Sequence, residues 1–149
     1  TAGVRKNLST ALKWYRRAAK GGNGDAMNNL AIMHALGEGV RQNVSEAVKW
    51  YLAGADAGNG NALFNLAALH DDGRGVKKAP DRAAKLVLRS IFAGTEAAKT
   101  EMLNNNSTWS PQFRKAFQVE LKALGKYTGA IDGSFGPGTR AAISQLQQQ

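Results

Sequence analysis

The sequence predicts an all-α protein: an α-solenoid of antiparallel helix hairpins with a small helical module at the C-terminal end. Three observations carry this. The chain repeats itself at a fixed spacing without a gap, each period holds two runs with helical spacing of small and apolar residues, and glycines or polar caps separate the runs. No cysteine is present, so disulfides, thiolate nucleophiles and cysteine-ligated metals are excluded.

The repeat is read directly. Gly3-Val4 recurs as Gly39-Val40 and Gly75-Val76, a period of 36 residues. Lys13-Trp14-Tyr15 recurs as Lys49-Trp50-Tyr51, and Gly22-Asn23-Gly24 as Gly58-Asn59-Gly60. Ala26, Asn29-Leu30-Ala31, His34 and Gly37 recur as Ala62, Asn65-Leu66-Ala67, His70 and Gly73. One hairpin cannot bury its own apolar stripe, so successive copies must stack.

Taken in order, the first helix of a period runs from about Asp25 to Leu36, with Ala26, Leu30 and His34 on one face. Gly37 and Gly39 end it. Asn43 with Glu46 three residues on forms an Asn-x-x-Glu capping box that opens the second helix. Pro80 stands in the first turn of the equivalent helix one period later. The second helix carries Ala47, Trp50, Tyr51 and Ala55 and stops at Gly58-Asn59-Gly60, and its Trp positions (Trp14, Trp50) are expected in the core. Small residues at Ala18-Ala19 and Gly54-Ala55 predict close helix approach. After Ala83 the pattern decays, and Ala98, Met102 and Leu103 keep only the apolar positions of a further first helix, as a terminal repeat would. The chain opens at Gly3-Val4, the inter-helix turn of a partial repeat, so a fragment of a longer protein is expected.

The run Asp25-Ala26, Leu30-Ala31, Gly37-Glu38-Gly39-Val40, Glu46-Ala47-Val48-Lys49-Trp50-Tyr51, Gly58-Asn59 resembles the Sel1-like repeat, a relative of the tetratricopeptide repeat. His34 and His70 stand where that family has tyrosine. The resemblance implies an interaction scaffold that takes a protein partner on the concave face of the solenoid.

Asn104 to Thr108 is a polar break with Pro111 shortly after, which divides the chain into a repeat region, 1–110, and a module, 111–149. Phe113, Phe117, Leu121 and Leu124 predict a helix ending at Gly125; a glycine-rich loop follows, and Ala141-Ala142-Ile143 with Leu146 open a last helix. The stretch Gln118 to Gln147, with Leu121, Leu124-Gly125, Asp132-Gly133-Ser134-Phe135-Gly136-Pro137, Thr139 and Ala142-Ile143 inside it, resembles the peptidoglycan-binding domain 1 family. That family usually continues into a second Asp-Gly segment and a third helix, so the module is either truncated or takes its missing contacts from the repeats. The resemblance points to Tyr127, Asp132, Phe135, Thr139 and Arg140 as lining for a glycan or stem peptide, an aromatic suiting a sugar and an arginine a carboxylate. Loop architecture is the competing role: Asp132-Gly133 is a turn sequence and Gly136-Pro137 a helix start.

The net charge of +9 favours an acidic partner, of which a wall polymer fits the resemblance better than nucleic acid. Residues 1–110 carry +6 and 111–149 carry +3, with Lys and Arg spread at helical spacing as on a solvated face. No run of about 18 apolar residues exists to span a membrane. His34 and His70 lie a full repeat apart and do not converge on a metal; Asp71-Asp72 reads as a helix-end acidic pair. No cofactor, metal site or catalytic constellation is expected, and hence no enzyme. The module order resembles the periplasmic tail of alphaproteobacterial cell-polarity factors, implying a periplasmic scaffold of a membrane-anchored or secreted parent. The alternative is the accessory region of a cell-wall hydrolase whose catalytic domain lies outside these residues.

Overall fold

The computed structural model describes residues 2–149. Among them are eight α-helices, one 3₁₀ turn and no strand: α1 (Ala2–Lys20), α2 (Gly24–Leu36), α3 (Val44–Asp56), α4 (Gly60–Asp72), α5 (Pro80–Phe92), α6 (Glu96–Asn104), the turn Asn106–Thr108, α7 (Pro111–Ala123) and α8 (Pro137–Ser144). The chain packs as two compact units, one up to Leu66 and one from Ala67 to Gln149, and the division falls inside α4.

In the first unit α1 packs on α2 and α2 on α3. Leu12, Ala19, Ala26, Leu30 and Met33 form the buried cluster, with Tyr15, Ala18, Met27, Val40 and Trp50 packed against it. The i, i+4 spacing of Ala26 and Leu30 puts both on the buried face, as the period requires. A Cβ on Gly54 would sit 2.7 Å from the Cβ of Ala62. The small-residue position therefore sets the distance between α3 and α4.

Polar contacts register the repeats. Asn23 Oδ1 accepts from the N–H of Ala26, and Asn59 Oδ1 from that of Ala62, both at 2.9 Å, so each caps a first helix. Asn59 also donates to Asp25 at 2.7 Å, and Asn65 donates to Asn28 at 3.0 Å. One repeat is thus tied to the next by side chains at matching positions.

Three local expectations are corrected. The capping box at Asn43 closes only one way: Asn43 Oδ1 accepts from Glu46 N–H at 3.1 Å, but the N–H of Asn43 donates to the carbonyl of His34 at 2.8 Å. With that donor taken, the Glu46 carboxylate pairs with Lys49 at 3.5 Å. The same backbone bond recurs one repeat later, Ala79 to His70 at 2.8 Å, so it belongs to the inter-helix turn itself. Gly3-Val4 is not a turn but lies inside α1. Gly39 is held at φ 71° with Leu8 and Met33 against it, whereas Gly3 has nothing within 4 Å to shape a turn. Trp14 is not in the core: it is 62% exposed, with the Arg17 guanidinium 5.9 Å from its ring centre. Trp50 is half-buried, packed against the α1–α2 cluster, so the core expectation is met only in part there.

In the second unit α5 packs on α6 and α7, and α8 packs on α6 and α7. Val87, Met102, Phe113, Phe117, Leu121 and Ile143 are fully buried. Leu124 falls beyond α7 and is 43% exposed, whereas Leu146, past the end of α8, is 2% exposed. His34 and His70 are both buried; His70 Nδ1 lies 3.1 Å from the Lys77 carbonyl, but His34 Nδ1 has no hydrogen-bond partner. Burial lowers the His34 pKa, with Glu46 opposing that shift and Arg16 adding to it.

Candidate functional site

Helix α7 organises the C-terminal module. Its N-cap, Ser110, accepts from the N–H of Phe113 at 3.0 Å and is itself held by Asp71, which takes the Ser110 N–H at 2.8 Å and its hydroxyl at 2.5 Å. Asp71, at the end of α4 where the acidic pair is expected, is a buried anchor for the start of α7. One face of α7 carries an aromatic ladder: ring centres lie 4.3 Å apart for Trp109–Phe113, 5.8 Å for Phe113–Phe117 and 5.9 Å for Phe117–Phe135. The ladder fixes the loop's Phe135 against the helix.

Beside it, Gln118 is fully buried and ties the loop down. Its Oε1 accepts from Gly133 N–H at 2.8 Å. Its amide hydrogens are shared among Ser134 O at 3.0 Å, Thr139 Oγ1 at 3.1 Å and Asp132 Oδ1 at 3.2 Å. One turn earlier, Arg114 donates from Nε to Gly133 O and from Nη1 to Trp109 O, both at 2.8 Å, with Ser107 O at 3.5 Å. A buried amide satisfied on every side specifies one loop conformation, because any other leaves a polar group stranded.

The five candidate residues divide accordingly. Asp132 is exposed; its Oδ1 also accepts from Ser134 N–H at 2.9 Å. That bond first, and the Gln118 amide second, hold its carboxyl below the usual carboxylate range. Phe135 is half-buried, one side of its ring against Phe117. Thr139 is 1% exposed and its hydroxyl is engaged by Gln118, which places it behind the surface. Tyr127 donates its hydroxyl to Ala130 O at 2.7 Å, and its ring lies so close over Gly129 that a Cβ there would meet the ring at 2.5 to 2.8 Å. Arg140 is exposed and donates to the carbonyl of Leu103.

The structure brings together two of these five. Asp132 and Phe135 share an open groove of about 530 Å³ with Asn106, Ser107, Arg114, Gly133 and Ser134; Tyr127, Thr139 and Arg140 do not line it. Arg114 and Gln118 are the residues that sequence reasoning left without a role. Gln118 opens the stretch that carries the peptidoglycan-binding resemblance, and for Arg114 the available signal is its place one turn before that glutamine. The last helix of the module is held from below by Lys99, which donates to Ser144 O at 3.1 Å and Leu146 O at 2.7 Å, satisfying carbonyls at the end of α8. The terminal segment docks nearby, with Gln149 N–H donating to Phe92 O at 2.9 Å. The repeat helices α5 and α6 thus supply packing to the module.

Comparison with known proteins agrees with this anatomy. Residues 110–149 match the family of peptidoglycan binding domains. The chain is similar in structure to a Sel1 repeat protein from Oxalobacter formigenes, with TM-score 0.61 and 26% identity over 75% of this chain and 48% of that one. It also resembles a protective antigen of uropathogenic Escherichia coli with an SLR fold, with TM-score 0.59 and 21% identity over 92% of this chain and 34% of that one. The chain therefore spans about half the length of the first and a third of the second. No curated protein matches it. The Sel1 repeat family matches residues 1–23, 24–59 and 60–91, more than half of the chain, with repeat borders at the starts of α2 and α4. By fold, period and sequence, this chain belongs to the Sel1 repeat family, an all-α fold of the solenoid kind, and carries a peptidoglycan-binding-type module after its repeats.

Proposed function

We propose that this chain is a non-catalytic region of a periplasmic scaffold protein, its repeat helices taking a protein partner and its C-terminal module taking peptidoglycan. The observation that carries the reading is the order of modules, Sel1 repeats followed directly by a peptidoglycan-binding-type domain. The same order supports a role of the cell-polarity kind, in a parent that is membrane-anchored or secreted. In this reading the division of labour falls at 110/111. Asp132 and Phe135 meet the ligand, while Thr139, Tyr127 and Arg140 hold the surface in place. Among the described residues no helix is long and apolar enough to cross a membrane.

The test is co-sedimentation of the whole chain with purified sacculi. Cutting at residue 110 would remove α7 and α8 from the second compact unit, so point variants are the better control. With a net charge of +9, retention is expected at about 0.1 M salt and should decline steeply by about 1 M, as the Debye length falls from about 10 Å to about 3 Å. A DNA competitor separates wall binding from general polyanion attraction. No retention at any salt would overturn the wall-binding half of the reading.

A further inference from the structure

We propose that the groove beside α7 reads a zwitterion: the free amino and carboxylate groups at the distal carbon of a stem-peptide diamino acid, the amine on Asp132 and the carboxylate on Arg114. The inference rests on the wall-binding reading and names which part of the wall the groove takes.

Arg114 is half-buried and its guanidinium is aimed rather than free. Nε and Nη1 are committed to the carbonyls of Gly133, Trp109 and Ser107, all neutral acceptors. Those bonds fix the plane of the fork without cancelling its charge, and they leave Nη2 as the nitrogen with no protein acceptor. Among the described residues the ion pairs are Lys49–Glu46 and Lys85–Glu120, so neither Arg114 nor Asp132 is in one. On Asp132, Oδ1 is engaged by the Ser134 N–H and the Gln118 amide, and the residue as a whole is exposed. Both charges line the same groove, yet they do not pair with each other. Each is held by hydrogen bonds that also fix the loop, so its position at the groove is set with the loop's own conformation.

Two fixed, opposite charges that are not paired with each other suit a ligand that carries both signs a short distance apart, Lys115 acting on Asp132 only as a neighbouring cation. The basic surface of the chain would attract any polyanion, but a plain polyanion gains nothing from Asp132. The N-acetyl sugars of the wall are largely neutral at their hydroxyl and amide faces, and a D-alanine end offers a carboxylate alone. A lysine in the third stem position offers an amine alone. Meso-diaminopimelate offers an amine and a carboxylate on one carbon, and it does so only while that amine is not acylated by a cross-link. The groove would therefore favour uncross-linked, diaminopimelate-type stems. The half-buried ring of Phe135 and the polar groups of Asn106 and Ser107 form the walls against which the side chain of such a residue would lie.

The experiment is calorimetric titration of the whole chain with the tripeptide L-alanyl-γ-D-glutamyl-meso-diaminopimelate and with the same tripeptide carrying lysine in the last position. The first should bind about tenfold or more tightly than the second, because in the lysine peptide no carboxylate sits on the carbon that bears the distal amine, so Arg114 and Asp132 cannot be met together. The informative variant is Asp132→Asn. Asparagine keeps an Oδ1 acceptor for Ser134 and Gln118, so the loop should hold and the melting temperature should stay close to that of the parent. The affinity for the diaminopimelate peptide should nevertheless fall about tenfold, because its amine loses the Asp132 charge. Equal affinity for the two tripeptides would overturn the proposal, as would an Asp132→Asn protein that binds the diaminopimelate peptide as tightly as the parent does. Sacculus co-sedimentation run in parallel separates the two levels. Retention on sacculi without tripeptide discrimination overturns the zwitterion site and leaves wall binding standing, and no retention overturns both.

Discussion

The α2–α3 hairpin and the α7–loop–α8 module are each about one repeat long, yet they are held in opposite ways. The hairpin is built from small and aliphatic side chains, with Ala26, Leu30, Ala31, Ala47 and Ala55 at 0 to 5% exposure, and its polar contacts cap helices at its edges. The module has a 13-residue loop between its helices, Leu124 to Gly136, with no regular structure. A buried glutamine and a ladder of aromatic rings hold that loop. Helices close their own backbone hydrogen bonds, so packing alone suffices for the hairpin. A loop cannot, so the module needs a polar hub and large rings to select one conformation. Rigid polar loops present fixed charges, and that is why the candidate ligand groove lies in the module and not in the hairpin.

The sharpest way to test the contrast is to remove one large core side chain from each kind of region. Phe117→Ala takes the middle ring from the ladder and should destabilise by about 3–5 kcal/mol; Leu66→Ala, at the repeat position equivalent to Leu30, should cost about 2–5 kcal/mol. Both are read from thermal or urea unfolding. A small shift for Phe117→Ala would mean that the loop does not depend on the ladder.

Gln118→Leu comes next. It preserves volume but strands the Gly133 N–H and frees the Thr139 hydroxyl and Ser134 carbonyl, a loss of about 1–3 kcal/mol for the stranded donor alone. Hydrogen exchange at Gly133 and Ser134 should rise with it. Protection that survives the substitution would show that the loop is fixed by the rings and not by the amide.

Within the repeats, one substitution made at two equivalent sites separates sequence identity from environment. Trp50→Ala should destabilise clearly, by about 1–3 kcal/mol, since its ring is half-buried against the α1–α2 cluster. Trp14→Ala, at a 62% exposed site, should fall within about 0.5 kcal/mol. Equal effects would contradict the difference in burial.

The smallest effect is a pH dependence. Burial lowers the His34 pKa from 6.5, so the folded chain binds fewer protons there than the unfolded chain. Its contribution is therefore fully present above about pH 6.5 and is lost as pH falls through the lower folded value. The melting temperature should drop between about pH 7.5 and 5.5, and His34→Gln should flatten that slope. An unchanged slope would place the titration elsewhere.

Much of the architecture was legible because its causes are local. Glycine pairs, Asn and Pro at helix starts and the apolar period name the helices from within a single repeat, and α2 through α5 begin and end within a few residues of where these residues put them. The module's helices were legible from Phe113, Phe117 and the Gly136-Pro137 start. The ligand-facing residues were less so. Asp132 and Phe135 do reach the groove, but Arg140, the arginine that motif spacing favours, bonds to Leu103 O, and Arg114 stands in the groove instead.

The sequence by itself determined the all-α class, the repeat length, the helix caps and the identity of the loop that bears the candidate site. Each depends on residues a turn or a repeat apart. Only the tertiary structure decided that Trp14 is exposed while Trp50 is packed, that Thr139 lies behind the surface, and that Asp71 anchors Ser110 across 39 residues of chain. It also decided that Lys99 closes the end of α8 from 47 positions away. The reason is physical. A helix follows from propensities and caps carried in its own segment, but burial and hydrogen-bond partners depend on which distant side chains arrive beside it. Identical Trp residues on matching helices therefore end in different environments, one exposed and one half-buried.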